Sequence, residues 1–559
     1  SGTSAITAMA VLTDGQMIVG DGTTDPVAES GATLRTSIGV GTTDDVKFAN
    51  ITGSGNISGS STSTGSFGHI TLSEGLEIGG VFKASLSNND AGTSNTIFGK
   101  SAGDAIASGG NYNVASGEDA AGGLTTADNS IAIGFEALKV HTTGGNNLAI
   151  GFKAMVDTDA GSTSLASVDN LFIGRFAGGG TWVDSASSQN IGIGNSVMDA
   201  AMDAALDNVG IGHAALTALT SGGSNIAVGY QALTGLITGS QNTVIGHQAL
   251  DAAVDTESNN VAIGATAMGA ANQGTHAAAD VDDNVAIGTN AMYGGTFGSS
   301  DKNLTNNVAI GYASMNGTGT LAAEDNVFIG GECGGGTIGG TGITGIVGIG
   351  AYALDAALTN AANGTVAVGN GALGALTSGE SNIALGYQAG AALTTGSNNV
   401  AVGFGALDAS HIDTAGCIAV GTNAMGAAAG SSRSYQSTAV GYLAMGGAAL
   451  DDADHNVAVG NYALYVVTDG DSNVCVGSNA GANIVGGSGN VCIGRDTGVN
   501  TVTLTTGSNN VLIGNAVRTL GTGGANQIVI GYDITGTADN VFSFGKASNL
   551  ASSTAFTSS

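Results

Sequence analysis

The segment Asn225-Ile-Ala-Val-Gly-Tyr-Gln-Ala-Leu233 decides the fold, because it returns soon afterwards as Asn242-Thr-Val-Ile-Gly-His-Gln-Ala-Leu250. Further copies begin at Asn260 and Asn399, and the consensus is N-[VI]-A-[VI]-G-x-x-A-[LM]. Indexed by its glycine, the motif occurs 25 times. Nine of the 24 intervals have the same length as the one from Gly229 to Gly246, and only the last, from Gly531 to Gly545, is shorter. Intervals that share a minimum length and exceed it by variable amounts predict stacked coils of one shape, some of which carry loop insertions.

Each copy is expected to form a short β-strand that ends in a turn. In V-A-[VI]-G, the two β-branched residues point to one face of the strand and the small Ala points to the other. The A-[LM] pair that follows returns apolar side chains to the interior. The glycine ends the strand because it tolerates positive φ. The predicted turn glycines include Gly134, Gly151, Gly229, Gly246, Gly264 and Gly403.

The copies must stack, because no single copy can bury its own apolar face. The sequence therefore predicts an all-β protein, a parallel β-solenoid of about 25 coils. At about 4.8 Å per coil, the array would form a rod roughly 120 Å long.

Asparagine stands four residues before the glycine in 18 of the 25 copies. Stacked in register, these amides are expected to form a ladder of side-chain hydrogen bonds between coils. The predicted ladder includes Asn147, Asn225, Asn242, Asn260, Asn307 and Asn399.

The composition excludes several classes of protein. The 559 residues include 97 Gly and one Pro, and 43 acidic against 12 basic residues give a net charge of −31. Twelve scattered cations cannot form the basic stripe of a nucleic-acid-binding protein. Collagen would need glycine at every third residue and abundant proline, and this sequence has neither. A content of 42% apolar residues does not fit a disordered chain.

The chain is expected to have three parts. Residues 1–95 are a Gly/Ser/Thr-rich lead-in that serves for attachment, residues 96–545 are the repeat array, and residues 546–559 are a polar tail. No charged-then-apolar leader is visible, although a processed start stays open because the chain begins without Met. Membrane insertion is not expected, because uncharged stretches such as 334–354 are threaded with Gly and Thr.

The repeat copies resemble the head repeats of trimeric autotransporter adhesins, over about residues 95–545. The resemblance implies a left-handed parallel β-roll in which three chains pack around one axis, a homotrimeric rod. The sequence departs from that family in its longer, more loop-rich coils. It also has neither a run of alternating strands for an outer-membrane anchor nor a heptad stalk.

Two other segments are similar to parts of bacteriophage tail fibres. The lead-in stretches Asp14-Gly-Gln-Met-Ile-Val-Gly-Asp-Gly-Thr23 and Gly59–Gly68 look like N-terminal parts of such fibres. The stretch Asn540–Ser548, followed by Ser558-Ser559, is similar to the segment before the self-cleaving chaperone of endosialidase-type fibres. That resemblance implies that Ser559 is a mature end left by cleavage.

Aromatic residues often follow the repeat glycine directly. Stacking or packing between subunits is the favoured interpretation, and an aromatic surface for glycans is the functional alternative. His213 and His247 occupy the same position. The candidate surface residues are Phe135, Phe152, Tyr230, Tyr387 and Phe404.

Cys475 and Cys492 occupy the same repeat position in consecutive copies, so they should lie in adjacent coils. Packing as small residues is favoured over a disulfide or a metal site, because parallel neighbours seldom have disulfide geometry.

The sequence indicates no enzyme and no resident cofactor. The acidic pairs Asp44-Asp45, Asp282-Asp283 and Asp451-Asp452 are candidate Ca²⁺ ligands, although a solvated acidic surface is favoured because calcium-loop spacing is missing. Two G-x-G-x-x-A matches, at Gly210 and Gly348, are ordinary repeat copies without the context of a dinucleotide site.

The leading hypothesis is a phage tail fibre, extracellular on the virion. It would be fixed at one end to baseplate or tail proteins, and it would adhere to a glycan or protein of the host surface through many weak contacts. A bacterial or other cell-surface adhesin or filament subunit with the same fold is the alternative. A single-chain triangular β-helix ranks third, and a glycan-degrading spike with a carboxylate pair between chains stays open.

Overall fold

The structure is a computed structural model. It describes residues 16–19, 27–30, 76–78, 82–84, 92–158, 167–183, 185–272, 280–294, 303–317, 321–408, 414–426, 435–499 and 504–553.

The chain divides into two compact units, residues 1–73 and residues 74–559. In the first unit, β1 (Gln16–Val19) and β2 (Val27–Ser30) pair as an antiparallel hairpin. The second unit contains a further antiparallel hairpin, β3 (Leu76–Ile78) with β4 (Phe82–Ala84), and the whole repeat array.

The array is one long ladder of parallel strands, and it makes about 23 turns of a β-solenoid. The predicted all-β parallel solenoid is therefore confirmed. No α-helix occurs among the residues that the structure describes, and Asn360–Ala362 forms a single 3-10 turn. The ladder strands are β5 (Thr96–Phe98), β6 (Val114–Ser116), β7 (Ile131–Ile133), β8 (Leu148–Ile150), β9 (Leu171–Ile173), β10 (Ile191–Ile193), β11 (Val209–Ile211), β12 (Ile226–Val228), β13 (Thr243–Ile245), β14 (Val261–Ile263), β16 (Val285–Ile287), β18 (Val308–Ile310), β20 (Val327–Ile329), β22 (Val347–Ile349), β23 (Val366–Val368), β24 (Ile383–Leu385), β25 (Val400–Val402), β26 (Ile418–Val420), β27 (Thr438–Val440), β28 (Val457–Val459), β29 (Val474–Val476), β30 (Val491–Ile493), β31 (Val511–Asn515), β32 (Ile528–Tyr532) and β33 (Phe542–Lys546).

A second, smaller parallel sheet accompanies four turns in the middle of the ladder. It pairs β15 (Val281–Asp282), β17 (Leu304–Thr305), β19 (Ala322–Glu324) and β21 (Gly342–Thr344) in that order. Several of the predicted loop insertions, including most of the one after Val156, lie outside the described residues.

The ladder ends in a reversal of chain direction. Strand β34 (Asn549–Ser553), which belongs to the segment that the sequence assigns to a polar tail, pairs antiparallel with β33. All five of its residues are exposed. The antiparallel strand covers the edge of the last parallel strand, which would otherwise offer unpaired backbone groups.

The interior of each turn is narrow, and we number positions from the repeat glycine as zero. The central strand residue at position −2 faces inward, and it is a small residue such as Ala227 in most turns. Ala232 and Leu233, at positions +3 and +4, close the interior from the other side and are fully buried. The two β-branched residues that flank position −2 point outward, because side chains alternate along a strand.

After each strand, successive backbone N–H groups donate alternately to the preceding turn and to the following turn. In the turn of Gly229, the N–H of Gln231 donates to the His213 carbonyl of the preceding turn at 2.9 Å. The N–H of Leu233 donates to the Ala249 carbonyl of the following turn at 3.0 Å. Both residues have positive φ, 52° and 55°, which lets successive N–H groups point in opposite directions along the ladder.

Candidate functional site

The turn glycines form one column along the solenoid. Gly229 has a φ of 147°, and a Cβ at this position would overlap the carbonyl oxygen of Gly246 in the next turn. Both the backbone conformation and the close approach of the next turn therefore require glycine. The other predicted turn glycines, Gly134, Gly151, Gly246, Gly264 and Gly403, have φ values between 131° and 151°.

The asparagines at position −4 lie in a second, buried column. The backbone N–H and the Nδ2 group of Asn225 both donate to Oδ1 of Asn208, each at 3.0 Å. Nδ2 of Asn225 also donates to the carbonyl of Gly239 at 2.9 Å, while its own Oδ1 accepts from Asn242. Every polar atom of the Asn225 amide is thus bonded inside the protein, which is what burial of an amide requires. Asn147, Asn242, Asn260, Asn307 and Asn399 are buried in the same column.

A third column, at position −6, was not predicted from the sequence. The Gly223 N–H donates to Oγ of Ser240 at 3.0 Å, the Ser240 N–H to Oγ of Ser258 at 3.1 Å, and the Ser258 N–H to Oδ1 of Asp282 at 2.6 Å. These bonds run toward the following turn, opposite to those of the asparagines. Their sequence signal is a Ser or Asp two residues before the asparagine, as in Ser240-Gln-Asn242.

This column gives Asp282 a structural role, because its carboxylate accepts a backbone N–H. Burial raises the pKa of Asp282, and that N–H opposes the rise. Of the other candidate Ca²⁺ pairs, Asp44-Asp45 lies outside the described residues. Within the described ranges, no group of three or more His, Cys, Asp or Glu side chains is placed to hold a metal ion.

The outward residues at positions −3 and −1 form a continuous surface, which we call the apolar face. Along the described strands of the ladder, this face contains no charged residue, and its polar members are Thr96, Thr243, Thr438 and Ser116. Its residues are partly exposed along the whole ladder; Ile226, for example, is 40% exposed. A chain with a net charge of −31 thus keeps one entire face free of charge.

Aromatic residues at position +1 lie beside the apolar face. Phe135 and Phe152 stack with ring centroids 5.4 Å apart, and Tyr387 and Phe404 do the same. These residues are exposed, with 39–53% of their surface accessible.

The histidines join the same column. Tyr230 stacks between His213 and His247, with centroid distances of 5.4 and 5.1 Å. The structure therefore groups the candidate aromatics into short runs of neighbouring turns. Because their ring faces cover one another, the stacked rings direct edges rather than faces toward solvent.

The first turns carry an unusual concentration of paired charges. Lys139 contacts Asp119 at 3.1 Å and Glu136 at 2.6 Å, and Lys153 contacts Glu136 at 3.1 Å. The hydrogen bond from Lys139 lowers the pKa of Glu136, and the same bond raises the pKa of Lys139. No sequence motif marks these lysines. Asp119 lies in the turn before that of Glu136 and Lys139, and Lys153 lies in the turn after it, so these ion pairs form only when the turns stack.

All four cysteines are buried thiols, and none of them forms a disulfide. Cys475 and Cys492 face each other in register in β29 and β30, as their shared repeat position predicts. The neighbouring Cys492 thiol and burial both raise the pKa of Cys475. Burial also raises the pKa of Cys333 to about 12 and that of Cys417 to about 11.

The sequence matches no protein-family model, and no curated protein is similar to it. The two G-x-G-x-x-A matches lie on β11 and β22 as ordinary ladder turns. In the part of the chain that the structure describes, no helix is both long and apolar enough to cross a bilayer. The described surface is thus repetitive, and its apolar face and adjoining aromatics are available for contact with another molecule.

Proposed function

We propose that the chain is the subunit of a homotrimeric fibre, a bacteriophage tail fibre, that attaches a virion to a host cell surface. Its 25 repeat copies form left-handed coils, and three chains pack around one axis, as in the adhesin heads that the repeats resemble. One end is held by baseplate or tail proteins, and the rod is extracellular. Adhesion to a surface glycan or protein is its activity.

The apolar face carries this proposal. At about 4.8 Å between paired strands, about 23 turns extend it over roughly 110 Å, so a stripe roughly 10 Å wide covers on the order of 1,000 Å². The largest apolar patch on a typical monomer is about 300–600 Å². A patch of this size on an isolated chain favours burial against a partner.

A second copy of the chain fits this face better than an unrelated protein does. The β-branched side chains recur once per turn, so only a surface with the same repeat can pack against them over the full length. Identical chains provide that repeat without a change of register. The acidic residues elsewhere on the surface would then keep separate fibres from aggregating.

Two matched variants test the assembly. Ile226 belongs to the apolar face and is 40% exposed, whereas Ile237 is 38% exposed but lies at position +8, outside that face. We expect Ile226→Lys to reduce the fraction of trimer by at least tenfold, because three lysines would be buried near one another. Ile237→Lys should leave the mass unchanged. Equal masses for both variants and the wild type would contradict the role of this face.

The attachment itself is tested with labelled protein and a panel of bacterial cells. The trimer should bind at least one strain. Ile226→Lys should bind far more weakly, because a dissociated chain makes each weak contact singly and loses the avidity of three linked chains. Ile237→Lys should bind as the wild type does. Failure of the wild-type trimer to bind any cell would overturn the attachment function while leaving the assembly intact.

A further inference from the structure

The two ends of the apolar face differ from its middle. At position −1, 22 of the 25 copies carry Val, Ile or Leu. The exceptions are Ser116 in the second turn and two phenylalanines, Phe98 in the first turn of the ladder and Phe544 in the last. Phe98 is 48% exposed and Phe544 is 55% exposed, more than any other residue that the structure describes at this position. The apolar face thus carries an exposed phenyl ring at each end.

Both rings are attached to backbone that the ladder holds in place. The carbonyl of Phe98 accepts the N–H of Gly117 at 2.8 Å. Phe544 lies in β33 between Ile530 of β32 and Ala551 of β34 and is in register with both. Because β34 runs antiparallel to β33, the parallel ladder ends at the turn of Phe544. Each ring therefore has a fixed position along the rod.

The middle of the apolar face cannot by itself fix how far two copies of the chain are shifted along each other. After a shift of one turn, about 4.8 Å, Val, Ile or Leu again lies opposite Val, Ile or Leu in nearly every turn. Such a surface specifies register weakly, as flat and repetitive β structures do. The asparagine column does not help, because amides such as that of Asn225 are bonded within their own chain.

The two phenylalanines distinguish the unshifted arrangement from the shifted ones. A shift in either direction leaves one ring uncovered at each end, because that ring then extends past the last turn of the neighbouring chain. Without a shift, rings lie at the same height in each chain, where the neighbouring chain covers them and edge-to-face contacts between rings can form. A phenyl ring has more apolar area to lose than Val has, so these ends penalise a shift more than an end made of Val would.

We propose that Phe98 and Phe544 fix the axial register of neighbouring chains, an inference that rests on the proposed assembly of identical chains. The partner is a second copy in the parallel orientation that three chains around one axis require. The apolar face offers on the order of 1,000 Å² per chain, against about 800 Å² per partner in a standard interface. The middle of the face supplies the affinity, and the two rings select the register.

The test is the distance between spin labels on neighbouring full-length chains, measured by double electron–electron resonance. Chains with Ile237→Cys are assembled with chains that carry Thr395→Cys; both positions are exposed and lie eight ladder strands apart. The two labels are therefore offset by about 38 Å along the rod, and a shift of one turn changes that offset by about 4.8 Å. The four native thiols are buried and should not take the label.

Two double variants are compared with the wild type in this assay. Phe98→Val/Phe544→Val removes the rings at the ends of the apolar face. Phe135→Val/Phe404→Val is the matched control, because it removes two exposed rings at position +1 and leaves position −1 unchanged. We expect one narrow distance for the wild type and the control. The Phe98→Val/Phe544→Val distribution should be at least twofold broader, while light scattering finds the same particle mass.

An equally narrow distribution in Phe98→Val/Phe544→Val, or equal broadening in the control, would overturn the proposal. Dissociation of Phe98→Val/Phe544→Val would also overturn it, because the rings would then hold the chains together rather than select their register. A broad distribution in an assembled wild type would show that the register is not fixed, while the assembly itself stands. A monomeric wild type, which gives no distance between chains, would overturn the proposed assembly and this inference with it.

Discussion

Phe172 and Gly192 lie side by side in register in neighbouring turns, and the phenyl ring occupies the space that a Cβ at position 192 would need. Phe328 and Gly348 repeat the arrangement, where a Cβ on the glycine would lie 2.9 Å from Cδ1 of the ring. In the turn of Phe172, Gly178 replaces the usual Leu or Met at position +4 and leaves further room for the ring. The narrow interior thus admits a large residue only where its neighbours give up volume.

Gly192→Ala is expected to destabilise the solenoid, because the added methyl group must displace the Phe172 ring in a packed core. Overpacking of this kind costs about 1–3 kcal/mol. The thermal midpoint should therefore fall, and the double variant Phe172→Leu/Gly192→Ala should recover part of the loss. An unchanged midpoint in the single variant would show that the ring and the glycine are not complementary.

Asn225→Ala is expected to cost more than an ordinary surface substitution. It leaves the Gly239 carbonyl and the Asn242 amide without their hydrogen-bond partners. Each buried polar group that loses its partner lowers the free energy of unfolding by about 1–3 kcal/mol. Chemical denaturation measures the change. Asn461→Ala at an exposed position is the control and should stay within about 0.5 kcal/mol of the wild type. Similar losses in both variants would argue against the asparagine column as a source of stability.

The repeat predicts the parallel solenoid and the register of its turns, because the period alone brings Asn225 beside Asn242 and Gly229 beside Gly246. It does not predict which strand face lies inside, since Ala at position −2 and the β-branched residues are both apolar. The narrow interior decides this, as it accepts Ala227 and leaves Ile226 outside.

The ion pairs of the first turns also escape sequence reasoning. Lys139 meets Asp119 only because two turns stack, and neither residue belongs to a motif. The position −6 column is different, because a Ser or Asp two residues before the asparagine is visible in the sequence once its role is known.

The four buried thiols should resist alkylation in the folded protein. Burial raises the pKa of Cys333 to about 12 and that of Cys417 to about 11, so very little reactive thiolate exists at pH 8. Iodoacetamide treatment followed by mass spectrometry should find no adduct in native protein and four after denaturation. Only two reactive thiols after denaturation without reductant would indicate a disulfide between Cys475 and Cys492.

Stability should increase as the pH falls from neutral toward the ordinary Asp pKa of about 3.9. Burial raises the pKa of Asp199, Asp251, Asp355 and Asp408 above their values in the unfolded chain. The folded state then binds these protons first, so acidification favours folding until the pH approaches the ordinary Asp pKa of about 3.9. A smaller net negative charge acts in the same direction.

Thermal midpoints at pH 7, 5.5 and 4.5 and constant ionic strength measure this trend. Asp408→Asn should show a smaller rise than the wild type, because one of the groups with a raised pKa is missing. A midpoint that falls steadily from pH 7 to pH 4.5 would show that other groups dominate the pH dependence.

The native mass of the intact chain tests the central claim most directly, since that claim is that copies of this chain cover the uncharged apolar face. Light scattering coupled to size-exclusion chromatography gives the mass without a standard. The account predicts three times 53.7 kDa at micromolar concentration. A monodisperse particle of 53.7 kDa would contradict it, because the apolar face would then be exposed to solvent along its whole length.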